Sequence, residues 1–75
     1  MIVRRVQVNR HLRVIAETTD GMQLEGPARL LPGQVIELVW PDGTRERARR
    51  ACVMTWSVTR LGSEGPTYGG RCRWQ

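Results

Sequence analysis

The sequence predicts a small all-β domain, an antiparallel β-barrel of about five to seven short strands. Runs of β-branched residues are separated by Gly- and Pro-containing turns at intervals of roughly eight to twelve residues. No stretch has the apolar repeat of an amphipathic helix. The chain has 75 residues, so we expect one domain over residues 1–75 with a single core. Closure into a barrel is expected because an open sheet this small would leave both edges exposed.

The N-terminal part of the chain predicts an arm or strand followed by a hairpin. Residues 2–8 alternate imperfectly between apolar and polar, and residues 9–11 (Asn-Arg-His) are typical of a turn. Residues 12–19 are rich in β-branched side chains and end at Asp-Gly, a pair that favours a tight hairpin turn. Residues 22–25 then alternate as a short return strand, which Gly26 and Pro27 end.

The next predicted strand covers residues 34–40 and follows a Pro-Gly turn at residues 32–33. Its alternation places Ile36, Leu38 and Trp40 on one face. Pro-Asp-Gly predicts a further turn, after which residues 44–50 are heavily charged. Such a charged segment is expected at a sheet edge or projecting past the end of the barrel.

The central strand is predicted at residues 50–58, which contain no Gly or Pro. Alternation separates two sets of side chains in this strand. The larger, more apolar set is expected to face the core, and the smaller set to face away. The first set is Cys52, Met54, Trp56 and Val58, and the second is Ala51, Val53, Thr55 and Ser57. A Gly- and Ser-containing loop at residues 62–66 then leads to a closing strand at residues 68–74.

The composition is that of a globular protein, with 40% hydrophobic and 25% charged residues. No apolar run approaches the roughly 20 residues of a membrane-spanning helix, and the N-terminus lacks the features of a secretory signal. A cytoplasmic location is therefore expected. The net charge is +5 and every one of the twelve basic residues is arginine. Arginine binds phosphate and carboxylate through two parallel hydrogen bonds, so an anionic partner is indicated, unless the arginines only solubilise the surface.

Catalysis and metal binding are disfavoured by the side chains present. The chain has a single histidine, His11, and two cysteines without the spacing of a metal site. No nucleophile with a neighbouring base can be assembled from the spacing, so we expect neither an enzyme nor a resident cofactor. Cys52 and Cys72 lie in apolar strand contexts and are expected to be buried free thiols, although pairing of their strands could bring them close.

Four segments carry motifs of one known family of small β-barrels. Residues 31–38 (Leu-Pro-Gly-Gln-Val-Ile-Glu-Leu) are similar to a Leu-x-Pro-Gly-x-x-Val-x-Leu strand entry. Residues 51–56 resemble an Ala-x-Val-x-Trp strand, residues 68–74 a closing Gly-x-x-Phe strand, and residues 21–24 a Gly-x-x-Leu strand start that follows a ligand motif. With these motifs the chain resembles, over about residues 14–74, the PilZ domain, a small six-stranded barrel that senses cyclic di-GMP in many bacterial proteins. The resemblance implies a PilZ-like barrel.

The ligand-binding signature of the PilZ family is degenerate in this chain. The family uses Arg-x-x-x-Arg and Asp/Asn-x-Ser-x-x-Gly, whose arginines hold phosphates and stack on guanine. Residues 16–21 read Ala-Glu-Thr-Thr-Asp-Gly, and no arginines near the N-terminus have the family spacing. The resemblance therefore implies weak or no nucleotide binding and the role of a regulatory adaptor for a partner protein. The candidate nucleotide-binding residues are Arg4, Arg5, Arg10, Arg13, Thr18 and Gly21.

Two other expectations come from the residues themselves. Arg71 and Arg73, beside Tyr68 and Trp74, suggest a basic barrel that binds nucleic acid through phosphate contacts and base stacking. The surface for a protein partner would instead include Arg45, Arg47 and Arg49 and exposed aromatics such as Trp40 or Trp74. A homodimer that pairs exposed edge strands is also expected, because the N-terminal half is short.

Overall fold

The structure is a computed structural model that describes residues 3–75, and it confirms an all-β domain. The residues form six strands of one sheet, in the spatial order β1-β4-β5-β6-β3-β2. In chain order the strands are β1 (Arg4–Gln7), β2 (Arg13–Glu17), β3 (Gly21–Gly26), β4 (Val35–Asp42), β5 (Arg45–Gly62) and β6 (Gly65–Trp74). Ile2, the first residue of the predicted N-terminal strand, lies outside the described residues. Within residues 3–75, no helix is long and apolar enough to cross a membrane.

The sheet is mixed, because β1 lies parallel to β4 while all the other neighbours are antiparallel. The prediction of a wholly antiparallel sheet is wrong at this pair. Val6 of β1 lies opposite Leu38 of β4 and is part of the core. The parallel pairing of β1 and β4 is possible because the chain between them is long and contains β2 and β3. In the described residues the two end strands are not paired directly, and a single bridge joins Val8, just after β1, to Leu12, just before β2. Closure into a barrel therefore stays a prediction.

The turns fall close to their predicted positions. Asn9 has a positive φ of 71°, a conformation that asparagine tolerates, and its N–H donates to the carbonyl of Leu12 at 2.6 Å. The β4–β5 turn lies at Gly43 and Thr44, so Pro41 and Asp42 belong to β4. The predicted flexible loop at residues 62–66 is a tight turn in which Gly62 lies opposite Gly65.

One face of the curved sheet, called the inner face here, carries the core; the other is the outer face. The core is apolar and contains residues of every strand except β2, together with residues of the β1–β2 connection and of the segment between β3 and β4. Its members are Val6, Val8, Leu12, Met22, Leu24, Ala28, Leu30, Ile36, Leu38, Ala51, Val53 and Cys72. Trp40, Trp56, Trp74 and Val14 pack against this cluster while staying partly exposed.

The predicted facing of β5 is wrong on both sides of the strand. Ala51 and Val53 are fully buried, whereas Met54 is 51% exposed. The reason is a β-bulge: Val53 lies opposite Cys72 and Thr55 opposite Arg71, which leaves Met54 without a partner. The extra residue shifts the alternation, so Trp56 returns to the core as predicted. Val58 shares the face of Trp56 but is 50% exposed and is not part of the core.

The first part of β5 extends beyond β6. The β5–β6 pairing ends where Ala51 lies opposite Trp74, and residues 45–50 pair with β4 alone. We call residues 37–50, which form this projecting hairpin, the β4–β5 arm. All six residues from Arg45 to Arg50 are exposed. The arm thus has a free edge, as predicted for the charged segment.

Candidate binding surfaces

The residues predicted to bind a nucleotide line three different grooves. Arg4 and Arg5 border a groove of about 320 Å³. Arg10 and Arg13 border another of about 260 Å³. Thr18 and Gly21 border a third of about 490 Å³. The structure therefore does not bring these six residues together in one pocket.

Three of the four predicted arginines already have partners within the domain. Arg4 donates from Nη1 to the carbonyl oxygen of Arg29 at 2.9 Å. Arg5 bridges two carboxylates, with Nη2 2.9 Å from Oε1 of Glu46 and Nε 3.0 Å from Oε1 of Glu37. The hydrogen bond and charge of Glu46, followed by those of Glu37, raise the pKa of Arg5 above its ordinary value.

Arg13 and Arg10 belong to the second groove and differ in their contacts. Nη2 of Arg13 lies 3.2 Å from Oε1 of Glu25, its neighbour across the β2–β3 pair. Arg10 is exposed in the turn between β1 and β2. An anion in this groove would have to compete with Glu25 for the guanidinium of Arg13.

Thr18 and Gly21 have structural roles at the β2–β3 connection. The N–H of Thr18 donates to the carbonyl of Gly21 at 2.9 Å, and the N–H of Gly21 donates to Oγ1 of Thr18 at 3.2 Å. A Cβ at Gly21 would overlap the carbonyl oxygen of Cys72 on β6. Glycine is therefore required for the close approach of β3 and β6. A nucleotide-binding role for these two residues stays a prediction.

A basic patch lies on the outer face of β5 and β6. Arg71 lies between Thr55 and Gln23, and Arg73 lies opposite Gly21, so both line the groove that contains Thr18. The Arg71 N–H donates to Oγ1 of Thr55 at 3.1 Å. The aromatic neighbours of these arginines in sequence are on the other side of the sheet. Tyr68 and Trp74 alternate with Arg71 and Arg73, and Trp74 lies opposite the buried Ala51 on the inner face.

Two arginine–tryptophan pairs lie on the inner face of the β4–β5 arm. Cζ of Arg47 is 5.1 Å from the ring centroid of Trp40, directly across the hairpin. Cζ of Arg49 is 4.4 Å from the ring centroid of Trp74, at the end of β6. Both distances are those of a cation–π interaction. We call these four residues the arginine–tryptophan cluster.

The sequence predicts these four residues to lie on the surface but does not predict that they form pairs. The Trp40–Arg47 pair follows once the turn is placed at Gly43 and Thr44, because a two-residue turn sets which residues face each other. The Arg49–Trp74 pair depends on the register between β5 and β6, which bulges shift. No local signal in the sequence specifies that register.

Most of the arginines lack an acidic partner. Of the twelve, Arg5 and Arg13 have a carboxylate within 4 Å among residues 3–75, which leaves ten without one. The same part of the chain contains no group of three His, Cys, Asp or Glu side chains arranged to hold a metal. The unpaired positive charge is therefore the main chemical feature of the surface.

The two cysteines are free and lie on opposite faces of adjacent strands. Cys72 lies opposite Val53 on the inner face and is 3% exposed, whereas Cys52 lies opposite Arg73 and is partly exposed. Burial, together with a smaller repulsion from Cys52, raises the pKa of Cys72 to about 11. Cys72 is thus an inert core residue, as expected for a buried thiol.

We expect Cys52 to react with an aromatic disulfide reagent at pH 8 at least about tenfold faster than Cys72, because the thiolate is the reactive form. The raised pKa of Cys72 keeps its thiol protonated at this pH. The rates are measured on Cys72→Ser and Cys52→Ser, each of which retains one thiol. Equal rates in the two folded variants would contradict the burial of Cys72. The same reaction in denaturant is the control, and there the rates should converge.

No protein-family model matches the chain, and no curated protein or solved structure matches it significantly. The PilZ resemblance seen in the sequence therefore stays a prediction. Inferences about function rest on the surfaces described above.

Proposed function

We propose that this chain is a non-enzymatic, PilZ-like adaptor domain that binds an acidic surface of a partner protein. The observation that carries the proposal is the set of ten arginines that have no carboxylate partner among the described residues 3–75. Exposed arginines of one sign steer an oppositely charged partner and bind carboxylates through paired hydrogen bonds. The raised pKa of the Cys72 thiol disfavours a catalytic thiolate and supports the non-enzymatic part of the proposal.

The proposal includes weak or no binding of cyclic di-GMP. A compact ligand with two phosphates and two guanines needs its arginines and polar groups around one volume. Here the candidate residues line three grooves, and the guanidiniums of Arg5 and Arg13 already contact carboxylates. The ligand would have to displace those carboxylates before it gained a phosphate contact.

Nucleic acid is the second candidate partner, and the basic patch around Arg71 and Arg73 favours it. Binding of single strands generally combines such a patch with aromatic side chains on which bases stack. In this domain Tyr68 and Trp74 lie on the face opposite to Arg71 and Arg73. Because these arginines and aromatic rings lie on opposite faces of the sheet, one single strand could not contact both, and an acidic protein partner is the better supported proposal.

Three labelled probes test the proposal against its alternatives by fluorescence anisotropy: a glutamate-rich peptide, a thymidine oligonucleotide and cyclic di-GMP. We expect the peptide to bind and its affinity to fall as salt is added, while a glutamine-rich peptide of the same length does not bind. Amide chemical shifts should stay unchanged with cyclic di-GMP at millimolar concentration. The proposal fails if only the oligonucleotide binds, or if cyclic di-GMP produces saturable shifts in Arg4–Arg13 and Thr18–Gly21.

A homodimer and a cytoplasmic location stay predictions of the sequence. Among the described residues, β1 and β2 are joined only through the bridge between Val8, which follows β1, and Leu12, which precedes β2, so a second copy could pair with either strand. Light scattering gives the mass of the assembly and thereby tests the dimer.

A further inference from the structure

The arginine–tryptophan cluster holds two guanidiniums in place. The rings of Trp40 and Trp74 pack against the core, and the guanidiniums of Arg47 and Arg49 lie over them. A stacked guanidinium keeps its N–H groups in the plane, where they can bind a carboxylate through two parallel bonds. Because stacking restricts the side chain, less conformational entropy is lost when an anion binds.

Among residues 3–75, no acidic side chain forms an ion pair with this cluster. Glu17 lines a cavity of about 200 Å³ together with Trp40 and Arg47, but no carboxylate lies within 4 Å of either guanidinium of the cluster. Asp42 lies opposite Arg45 at the tip of the arm and forms no ion pair there. The cluster is therefore a charged site without an internal counterion.

The spacing of the two arginines is that of alternate residues in a strand. Arg47 and Arg49 are two positions apart on the same face of β5, so their Cα atoms are separated by about 6.8 Å. An extended peptide carries its alternate side chains on one side at the same spacing. Carboxylates at positions i and i+2 of such a peptide match the two guanidiniums.

The free edge of the β4–β5 arm lies beside the cluster. In an antiparallel pair, successive residues direct their backbone groups alternately toward and away from the partner strand. The carbonyl of Arg50 points away from β4, since it accepts a hydrogen bond from the N–H of Gln75 at 3.1 Å. By the same alternation, the N–H and C=O of Ala48 face the free edge, where no strand of the described chain pairs. A peptide strand could add to the sheet there.

We infer that this edge binds an extended segment of the partner protein with carboxylates at alternate positions, which adds as a strand to β5. The alternating carboxylates contact Arg47 and Arg49, and the backbone of the segment pairs with that of Ala48. The inference rests on the proposed function and deepens it. A nucleic acid fits less well, because each tryptophan ring has the core beside it and a guanidinium over it, and a phosphate backbone cannot pair with a strand edge.

The test compares two peptides on the unaltered protein. One alternates threonine and glutamate, and the other has the same composition but repeats Glu-Glu-Thr-Thr, so that no two of its glutamates stand at positions i and i+2. We expect the alternating peptide to bind at least about fivefold more tightly, since only it presents neighbouring carboxylates at the spacing of Arg47 and Arg49. The changes in amide chemical shift that this peptide causes in the protein should be concentrated in residues 45–50. Methylation of the peptide's backbone nitrogens should abolish the preference, because it removes the strand hydrogen bonds.

A pair of matched double variants separates the cluster from the general positive charge. Arg47→Lys with Arg49→Lys keeps the charge but removes the planar stacked guanidiniums. This double variant should bind the alternating peptide at least about tenfold more weakly than the wild-type domain does. Arg71→Lys with Arg73→Lys makes the same change on the outer face and should alter the affinity by less than about twofold. Ala48→Pro blocks the edge N–H without changing charge, and should also weaken binding at least about tenfold.

The outcomes distinguish this inference from the proposed function. Equal affinity for the two peptides, or equal losses in the two double variants, would overturn the inference while leaving an acidic partner in place. Binding of neither peptide, with tight binding of the oligonucleotide, would overturn both. The peptide comparison uses the wild-type domain, so it tests the preference for alternating carboxylates even if a variant fails to fold.

Discussion

Substitution of Val53 by aspartate is expected to unfold the domain or to lower its free energy of unfolding by at least about 4 kcal/mol. Val53 is fully buried in the core and lies opposite Cys72. Among residues 3–75 no charged residue is buried, so the new carboxylate would be buried without a counterion. The measurement is urea denaturation followed by circular dichroism, with tryptophan fluorescence as a second probe.

The neighbouring substitution Met54→Asp is the matched control. Met54 is 51% exposed at the bulge, so we expect a change within about 0.5 kcal/mol. Simple alternation places Met54 in the core and Val53 outside it, and would therefore give the opposite order of stabilities. A severe effect of Met54→Asp with a mild effect of Val53→Asp would refute the bulge between residues 53 and 55.

This pair of residues shows which part of the fold a sequence specifies. The β-rich runs and the Gly- and Pro-containing turns place the strands to within a few residues, because those preferences act locally. The face of a residue follows from alternation only while the ladder is regular. At Met54 an unpaired residue interrupts the ladder, and no turn residue in residues 51–56 marks it. The prediction therefore failed for Ala51 and Val53 and held for Trp56.

The position of β1 could not be predicted for a different reason. Hairpins are encoded by the turn between their strands, but β1 and β4 are separated by β2 and β3. Val6 beside Leu38 is a contact between residues distant in sequence, and it is made in a parallel pair. Local patterns specify neither the neighbour nor the direction of such a strand.

The candidate sites were predictable to different degrees. The abundance of arginine and the projecting charged hairpin follow from composition and turn chemistry, and the structure has both. The resemblance to PilZ predicts that the nucleotide-binding residues form one site. In the structure, Arg13 and Thr18 line different grooves at the two ends of β2. A motif matched in sequence does not establish proximity unless the strands around it keep the family arrangement.

Replacement of Gly70 by alanine is expected to lower the free energy of unfolding by about 3 kcal/mol or more. Gly70 lies on β6 opposite Trp56, just after the bulge in β5. A Cβ there would overlap the carbonyl oxygen of Thr55 and lie 2.9 Å from Cα of Trp56. These are backbone atoms, so relief of the overlap requires β5 and β6 to separate within their paired region. Urea denaturation measures the loss.

Two other glycines separate this packing effect from the general consequences of replacing glycine by alanine. At Gly62 the nearest atom to a new Cβ is the carbonyl oxygen of Gly65 at 3.6 Å, so Gly62→Ala should change stability by less than about 1 kcal/mol. At Gly69 the closest atom is Cγ2 of Thr59 at 2.9 Å, in a side chain that can rotate, and an intermediate loss is expected. Equal effects at all three positions would refute the close approach of β5 and β6. A loss of stability that is largest at Gly70, intermediate at Gly69 and smallest at Gly62 would support the close approach of the two strands beside the bulge. The bulge that directs Trp56 into the core would then also require glycine at the opposite position on β6.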